Sequence, residues 1–274
     1  MVTDAERERH AHAAALRGLL YLACPNATGP AITATAEAIT QQADETPHQP
    51  VPEARQLTHP PAPPLFQSPP PLHLAGADLD GANLTGANLY RANLAGASMA
   101  VSDLSGAGLT GANLYRANLS DARLTGAHML GANLTSADLT SADLTVSNLS
   151  NAKLPGANLT GANLSNARLP AANLTRADLS GANLADADLT GANLTRANLT
   201  GARLAGAHLN NTDMTETRLL QAQGMRLPPG ATWNRATQWP AELASVVREQ
   251  SDEVSPGVYR VRGGTAPDRS NIRV

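Results

Sequence analysis

Aromatic side chains are scarce in this sequence. Its 274 residues include one Phe, two Trp and four Tyr, which is too few for the core of an ordinary globular domain of this length. Cysteine is rarer still, because Cys24 stands alone and cannot form an internal disulfide. A formal net charge of −3 is typical neither of a nucleic-acid-binding protein nor of a strong polyanion. We therefore expect a cytoplasmic protein that makes no direct contact with nucleic acid.

Residue groups that carry catalysis or hold cofactors are also lacking. The sequence contains no phosphate-binding loop and no cluster of residues at metal-ligand spacing. It also contains no Ser/His/Asp grouping that its periodicity would bring together. We predict a protein that is not an enzyme and that needs no cofactor and no metal ion.

A five-residue repeat dominates the middle of the chain, as in GANLTGANLYRANLAGA at residues 81–97. From Leu79 to Leu219 the central position recurs 29 times without an insertion or deletion, and it is leucine in 26 repeats and methionine in the others. The residue two places earlier is alanine in 25 repeats, and the residue just before the centre is Asn or Asp in 20. Such regularity indicates one structural unit repeated along the chain.

A period of five fits neither regular secondary structure. Five helical steps of about 100° scatter the leucines around the helix. In a flat strand, every fifth residue lies on the opposite face. The pattern instead predicts a short extended piece in which Ala and Leu point inward together, followed by a bend. A single unit buries too little to be stable, so the units must stack.

The unit Ala82-Asn83-Leu84-Thr85-Gly86 resembles the A(N/D)LxG repeat of the pentapeptide-repeat family, and the resemblance covers about half of the chain. It implies an all-β fold, a right-handed quadrilateral β-helix in which four repeats, or 20 residues, make one coil. Just over seven coils, stacked at about 4.8 Å, would form a rod roughly 35 Å long. One inward stack would then contain leucines 20 residues apart: Leu84, Leu104, Leu124, Leu144, Leu164, Leu184 and Leu204.

The sequence divides into four segments: an N-terminal helical segment at 1–44, a proline-rich linker at 45–74, the pentapeptide-repeat β-helix at 75–222, and a C-terminal cap and tail at 223–274. Residues 3–24 are predicted to form a helix that docks on the rod end or stays loose. The apolar run ending at Cys24 also matches part of a lipoprotein signal, although acidic residues stand where that signal has basic ones. Lipidation of Cys24 stays open at this point, and no membrane association is expected.

Two tryptophans, Trp233 and Trp239, follow the last repeat. We expect them to cap the open end of the β-helix, where leucines and unpaired backbone groups would otherwise be exposed. A short helix at 241–249 and an edge strand within 257–264 are predicted to complete the cap. Because a C-terminal element can carry dimer contacts in relatives, the resemblance makes a homodimer one expectation.

Sorting the outward positions by coil predicts charged faces, each named here by one of its inward leucines. The Leu79 face carries five carboxylates and Arg218, for a net charge of −4; the carboxylates are Asp78, Asp80, Asp121, Asp138 and Asp178. The adjoining Leu94 face has a net charge of +2, and the other two are close to balanced. These charges either keep the rod soluble or dock a protein partner. His128 and His208 share a column but lie about 19 Å apart, too far to share a metal ion.

The duplicated sequence NLYRANL suggests a second partner-binding surface, formed by Tyr90-Arg91 and Tyr115-Arg116. Tyr and Arg are frequent at the energetic centres of interfaces. A shift of 25 residues is one coil plus one corner, so the two pairs are expected on adjoining faces. The outward residues Val101, Leu130 and Val146 either widen this patch or mark irregular coils.

These patterns favour a non-enzymatic scaffold that mediates protein–protein interaction through its flat faces, with a partner that the sequence does not identify. The resemblance adds an alternative, because some pentapeptide-repeat proteins mimic duplex DNA and bind type II topoisomerases such as DNA gyrase. This chain departs from those relatives because its central residue is never phenylalanine and its surface mixes Arg with Asp. DNA gyrase is therefore the second interpretation, and an enzyme is the third.

Overall fold

The computed structural model describes residues 71–263 of the chain. Parallel bridges join residues 20 apart, from His73 with Asn93 to Arg203 with Gln223, so four repeats make one coil. Backbone hydrogen bonds run along the rod between successive coils. The Leu144 N–H, for example, donates to the Asn163 C=O at 2.7 Å. The repeat region is therefore a β-helix with 20-residue coils, and its right-handed sense stays a prediction from the family resemblance.

Each repeat ends in a tight turn that forms one corner of the coil. The C=O of the central residue accepts from the N–H three places on, as between Leu139 and Ala142 at 3.0 Å. The third residue of this turn has a positive φ, which is the signature of a type II turn. Glycine fills many of these corners because it has no Cβ to clash there. Others carry larger residues, among them Asp121 at φ 56° and Val146 at φ 52°.

The Asn or Asp before each central residue stabilises the turn that follows. The Oδ1 atoms of Asn83 and Asp143 each accept a hydrogen bond from the N–H two residues on, both at 3.1 Å. Amide side chains also join coils, since Asn113 Nδ2 donates to Asn93 Oδ1 at 3.1 Å. Short polar side chains that bond to nearby backbone in this way are favoured in turns, which explains their prevalence at this position.

Leucines and methionines fill the inside of the rod, and the stack predicted to include Leu144 is buried throughout, from 3% exposed at Leu84 to 0–1% in the coils beyond. Alanines two places before the centre are buried beside them, except for the partly buried Ala82 and Ala207, so each side of a coil holds one large and one small residue. Ser147 takes the alanine position in one repeat, and its hydroxyl donates to the Leu144 C=O at 2.7 Å. This bond lets a polar side chain occupy the core without a lost hydrogen bond.

The rod is longer at both ends than residues 75–222. The bridge at His73 and the burial of Leu74 place residues 71–74 in the first coil, although the sequence pattern assigned them to the linker. At the other end, parallel bridges continue from Arg203 to Gln223, from Asp213 to Thr232 and from Arg218 to Gln238. The predicted helix at 3–24, Cys24 and most of the linker lie outside the described residues.

Both tryptophans continue the inward stacks instead of lying beyond them. The bridges place Trp233 over Met214 and Trp239 over Leu219, with the two indole rings edge to face at 6.0 Å. The spacing between bridged residues is 19 at Thr232 and 20 again at Gln238, so a one-residue deletion is followed by a one-residue insertion. Residues 223–239 lack the five-residue period, but they form an eighth coil on top of the repeats.

A small three-stranded sheet and one helix close this end. Strand β1 is Thr232–Asn234, helix α1 is Ala244–Glu249, and strands β2 and β3 are Ser251–Ser255 and Val258–Val261. The sheet is antiparallel in the order β1-β3-β2, so β3 is its central strand and the prediction of an edge strand there was wrong. Tyr259 of β3 stacks on Trp233 at 4.8 Å, and the buried Val247 of α1 joins the core.

Candidate interaction surfaces

The predicted acidic residues of the Leu79 face form a spaced row. Successive bridges at 20-residue intervals place Asp78, Asp138 and Asp178 in one column. Coil spacing puts Asp138 about 14 Å from Asp78 and about 10 Å from Asp178. Asp121 lies at an exposed corner of the same face. The structure therefore places these carboxylates on one side of the rod without bringing them into a cluster.

Several of these carboxylates hold the backbone together. Asp138 Oδ1 accepts from the Thr140 N–H at 3.0 Å and from the Thr140 hydroxyl at 2.6 Å, and Asp178 makes the same two bonds with Ser180. Asp80 Oδ1 accepts from the Ala100 N–H at 2.7 Å and so joins the first two coils. A structural role accounts for much of this acidic pattern, which the sequence alone does not distinguish from a docking site.

The Tyr–Arg pairs point outward on adjoining faces. The Arg91 guanidinium lies over the Tyr90 ring at 5.1 Å, and that of Arg116 lies over Tyr115 at 5.2 Å. Tyr90 is 48% exposed and Tyr115 38% exposed. Each arginine sits at a corner with φ 54°, directly after the tyrosine it stacks on. At an exposed site such a contact is worth about 0.5–1 kcal/mol, so it favours this arrangement before any partner binds.

Exposed apolar side chains extend the surface around Tyr90. Leu130 follows Tyr90 by 40 residues, or two coils, so both occupy one column of the Leu89 face. Leu130 is 42% exposed. Val146 is 53% exposed and lies in the next coil, at the corner where the Leu84 face meets the Leu89 face. From Asn88 to Asn151 the only charged residue on this face is Arg91. We call Tyr90, Arg91, Leu130 and Val146 the Leu89-face patch. The 40-residue separation of Tyr90 and Leu130 was the sequence signal for it.

The positive charge of the Leu94 face is partly neutralised within the face. Arg196 donates two hydrogen bonds to Glu216 in the next coil, at 2.6 and 3.2 Å. The hydrogen bond from Arg196 lowers the pKa of Glu216 below its ordinary value, so the pair stays ionised at neutral pH. This face therefore presents less free charge than its composition suggests.

The cap contains a cleft of about 560 Å³, lined in part by Trp233, Trp239, Arg248, Ser251 and Tyr259. The Ser251 hydroxyl is engaged in the fold, because Ser251 Oγ accepts from Trp233 Nε1 at 2.9 Å and donates to the Val247 C=O at 2.6 Å. Among the described residues there is no group of three or more His, Cys, Asp or Glu side chains placed to bind a metal ion. The cleft thus belongs to the packing of the cap.

Comparison with known proteins identifies the family. A protein-family model described as pentapeptide repeats matches this chain in eight copies. The matched residues are 73–106, 102–140, 112–151, 142–181 and 182–221. Together the matches cover more than half of the chain. The chain is a pentapeptide-repeat protein. Members of this family are in general structural and interaction proteins, not enzymes.

Solved pentapeptide-repeat structures resemble this protein in part. HetL, involved in heterocyst differentiation regulation in the cyanobacterium Nostoc sp. strain PCC 7120, is 32% identical over 59% of this chain and 84% of its own, with a TM-score of 0.33. A trypsin-treated form of QnrB1, a plasmid-mediated fluoroquinolone resistance protein, is 20% identical. The match covers 61% of this chain and 81% of QnrB1, with a TM-score of 0.40. Rfr23, from the cyanobacterium Cyanothece 51142, is 36% identical. The match covers 43% of this chain and 63% of Rfr23, with a TM-score of 0.19.

These TM-scores are too low to transfer a function, so the repeat model alone establishes the family. A search of curated protein sequences finds no significant match to this pentapeptide-repeat protein. Within residues 71–263, it has no helix long and apolar enough to span a membrane.

Proposed function

We propose that this pentapeptide-repeat protein is a non-enzymatic scaffold that binds a protein partner through the Leu89-face patch and the neighbouring Tyr115–Arg116 pair. The observation that carries the proposal is the exposure of Tyr90, Leu130 and Val146 on a face where Arg91 is the only nearby charge. Tyrosine and arginine are enriched at the energetic centres of interfaces, and exposed apolar side chains that lie together often mark an interaction site. The partner is expected to offer apolar side chains beside an acidic group.

Backbone strain at Val146 supports the same surface. A β-branched residue at φ 52° is unfavourable by roughly 1–2 kcal/mol compared with glycine. Val146 is 53% exposed, so burial within the chain offsets little of this cost. A partner that covers the valine would gain the transfer free energy of its side chain, while the backbone strain is the same in the free and the bound protein. The stacked Tyr–Arg pairs add to this, because side chains that are already ordered lose less entropy on binding.

Affinity capture from a lysate of the source organism, followed by titration of the purified partner, tests the proposal. Tyr90→Ala with Leu130→Ser should weaken binding at least about tenfold, the effect of losing one hot-spot residue. Leu220→Ser is the matched control, because Leu220 is 47% exposed on the Leu79 face. Equal binding by the wild type and the double variant would reject this surface. A homodimer and a cytoplasmic location belong to the same proposal, and light scattering during gel filtration tests the first.

A DNA mimic that binds DNA gyrase is the second candidate, and the net −4 of the Leu79 face is the observation in its favour. Over a rod of roughly 35 Å this is about one net charge per 9 Å, whereas duplex DNA carries one per ~1.7 Å. The face is therefore about five times sparser in charge than the duplex, which is why this candidate ranks second.

The gyrase candidate is tested by a supercoiling assay with micromolar protein. Inhibition or protection that disappears in Asp138→Asn with Asp178→Asn would support it, because asparagine keeps the turn hydrogen bonds but removes the charge. Asp143→Asn, on the adjoining Leu84 face, is the control for charge removal elsewhere. Supercoiling that is unchanged by the wild-type protein would remove gyrase as a partner.

A further inference from the structure

Gly108 differs from every other glycine within the repeats. The others lie at corners, where a positive φ favours glycine, whereas Gly108 stands just before the central Leu109 and has no positive φ. Within 4 Å, a Cβ added at Gly108 would meet the Ala87 carbonyl oxygen at 3.7 Å and the Asn88 Oδ1 at 3.9 Å, which are ordinary contacts. Neither the backbone conformation nor close packing therefore requires glycine at this position.

Glycine at this position gives up two hydrogen bonds that a side chain forms elsewhere. On the adjoining face, Asn113 Oδ1 accepts from the Tyr115 N–H at 3.3 Å, and Asn113 Nδ2 donates to Asn93 Oδ1 in the coil before at 3.1 Å. From residue 78 to residue 218, Gly108 is the one glycine that stands directly before a central residue. Glycine within an extended segment lowers stability, and it often marks a place where another molecule approaches the backbone closely.

The missing side chain leaves an open position beside the apolar residues of the Leu89 face. Gly108 is bridged to Asn88 in the coil before and to His128 in the coil after, so these two exposed residues lie about 10 Å apart. Tyr90 and Leu130 lie in the same two coils, in the neighbouring outward column. We name the open position bounded by these four residues the Gly108 socket.

We propose that the Gly108 socket receives one apolar side chain of a protein partner, of about leucine size, with a partner carboxylate beside it. This inference rests on the proposed function, because it assigns an anchor to the same partner-binding surface. The open position has the room that an asparagine or a longer side chain fills in other repeats, so it accepts a single side chain.

The surroundings of the socket determine the chemistry of this anchor. Tyr90 and Leu130 are 48% and 42% exposed, and an apolar side chain between their columns would remove apolar surface from water. Arg91 lies over the Tyr90 ring and is the only charged residue on this face from Asn88 to Asn151. A carboxylate is therefore the complementary group on the partner, and it favours acidic partners over basic ones.

A random peptide library selected on the full-length protein tests the proposal. We expect the enriched peptides to carry Leu, Ile or Met beside Asp or Glu. Gly108→Asn fills the socket with the residue that most repeats have there, and it should weaken the binding of these peptides at least about tenfold. Gly181→Asn is the matched control, because it adds the same side chain at an open corner away from the Leu89 face and should leave the affinity unchanged.

The stability of Gly108→Asn separates a filled socket from a damaged fold. The new side chain restores the turn bond and the bond to Asn88, so the urea concentration at the unfolding midpoint should rise. Weaker peptide binding by a more stable protein would show that the open space itself is used. A lower midpoint would mean that the position does not accept a side chain, and it would overturn the proposal.

Other outcomes distinguish the socket from the proposed function. Peptides that bind Gly108→Asn as tightly as the wild type, but lose affinity for Tyr90→Ala with Leu130→Ser, would overturn the socket and leave the proposed function standing. Peptides that bind both variants equally well would reject both, and a selection that enriches no peptide of the expected composition would overturn the socket. Self-association that Gly108→Asn abolishes in light scattering would assign the socket to a second copy and would also overturn the proposal.

Discussion

Single aspartates illustrate how this protein uses one residue type for structure and surface charge together. Burial alone would raise the pKa of Asp143, but hydrogen bonds from the Thr145 hydroxyl and N–H and from Thr125 outweigh it, so the pKa lies below its ordinary value. The same balance lowers the pKa of Asp103, through Ser105, and of Asp188, through Thr190. These carboxylates bond best as anions, which ties the stability of the turns to pH.

We expect the rod to lose stability in acid. A folded pKa below the unfolded value of 3.8 stabilises the protein above pH 3.8, and this contribution is lost as the pH falls through the folded pKa. We compare the wild type with a triple variant that carries Asp103→Asn, Asp143→Asn and Asp188→Asn. In urea titrations from pH 6 to pH 2, the urea concentration at the unfolding midpoint should fall more for the wild type than for the triple variant. Asp121→Asn, at an exposed corner, is the control. Parallel pH profiles for wild type and triple variant would contradict the structural role of these carboxylates.

Val101 tests the energetic cost of the corners. It is 68% exposed at φ 58°, a conformation that asparagine adopts far more readily than a β-branched residue. Val101→Asn should therefore raise the free energy of unfolding by about 1 kcal/mol. Leu220→Asn, also exposed but at a position without a positive φ, should give no such gain. Chemical denaturation measures both, and a destabilised Val101→Asn would show that the valine packs against something in solution.

At the scale of elements, the last coil shows how a β-helix can end without the repeat. Two of its inward positions hold tryptophans, and the residues in the other two columns are Gly224 and the buried Pro228. Each indole needs more volume than a leucine. The Trp233 ring packs edge to face on Trp239 and is stacked on Tyr259 of β3, so the last coil is held by ring contacts that no repeat contains.

Gly224 is expected to be the least replaceable glycine of this coil. It has φ 71°, and a Cβ there would lie 2.9 Å from the Ala205 Cα. Gly224→Ala should lower the free energy of unfolding by about 2–5 kcal/mol, from backbone strain plus overpacking. Gly201→Ala is the matched control, since Gly201 has φ 69° but nothing within 4 Å of the added Cβ, and about 1 kcal/mol is expected. Equal effects would mean that the contact with Ala205 relaxes freely.

For the whole molecule, stability is a sum of contacts between neighbouring coils, so its ends decide whether one rod associates end to end with another. Each coil in the middle is covered on both sides, whereas the final one depends on α1 and the β2–β3 hairpin to cover its two indole rings. Removing that cover would leave an apolar surface and a sheet edge that fit another copy of the same rod.

A chain that ends at residue 239 should therefore self-associate. Light scattering during gel filtration is expected to give a mass that rises with concentration, because Trp233 and Trp239 become exposed at an open edge. A chain that ends at residue 263 keeps α1 and the sheet and should behave as the full protein does. A truncated protein with the same mass at all concentrations would show that the indoles close the rod without the helix.

Most of the rod could be predicted from sequence, because the strict period means that every repeat adopts the same local conformation. Knowing that Leu144 points inward predicts the same for every central residue, and the 20-residue coil then places Asp138 and Asp178 in one column. The candidate patch was harder to predict, since Tyr90 and Leu130 are 40 residues apart in the sequence and share a column only because each coil has 20 residues. The hydrogen bonds of Asp138 were not predicted, although the prevalence of Asn and Asp before the leucine was visible in the sequence.

By itself, the sequence determined the period, the residues that face inward and the charge of each face, because these follow from local geometry that every repeat shares. Only the tertiary structure decided how the rod is closed, why β3 lies in the middle of its sheet, and how each arginine stacks on its tyrosine. The physical reason is that the cap has no repeat to extrapolate. Its packing depends on Trp233, Trp239 and Tyr259, whose rings come together only when the last coil and strand β3 are folded.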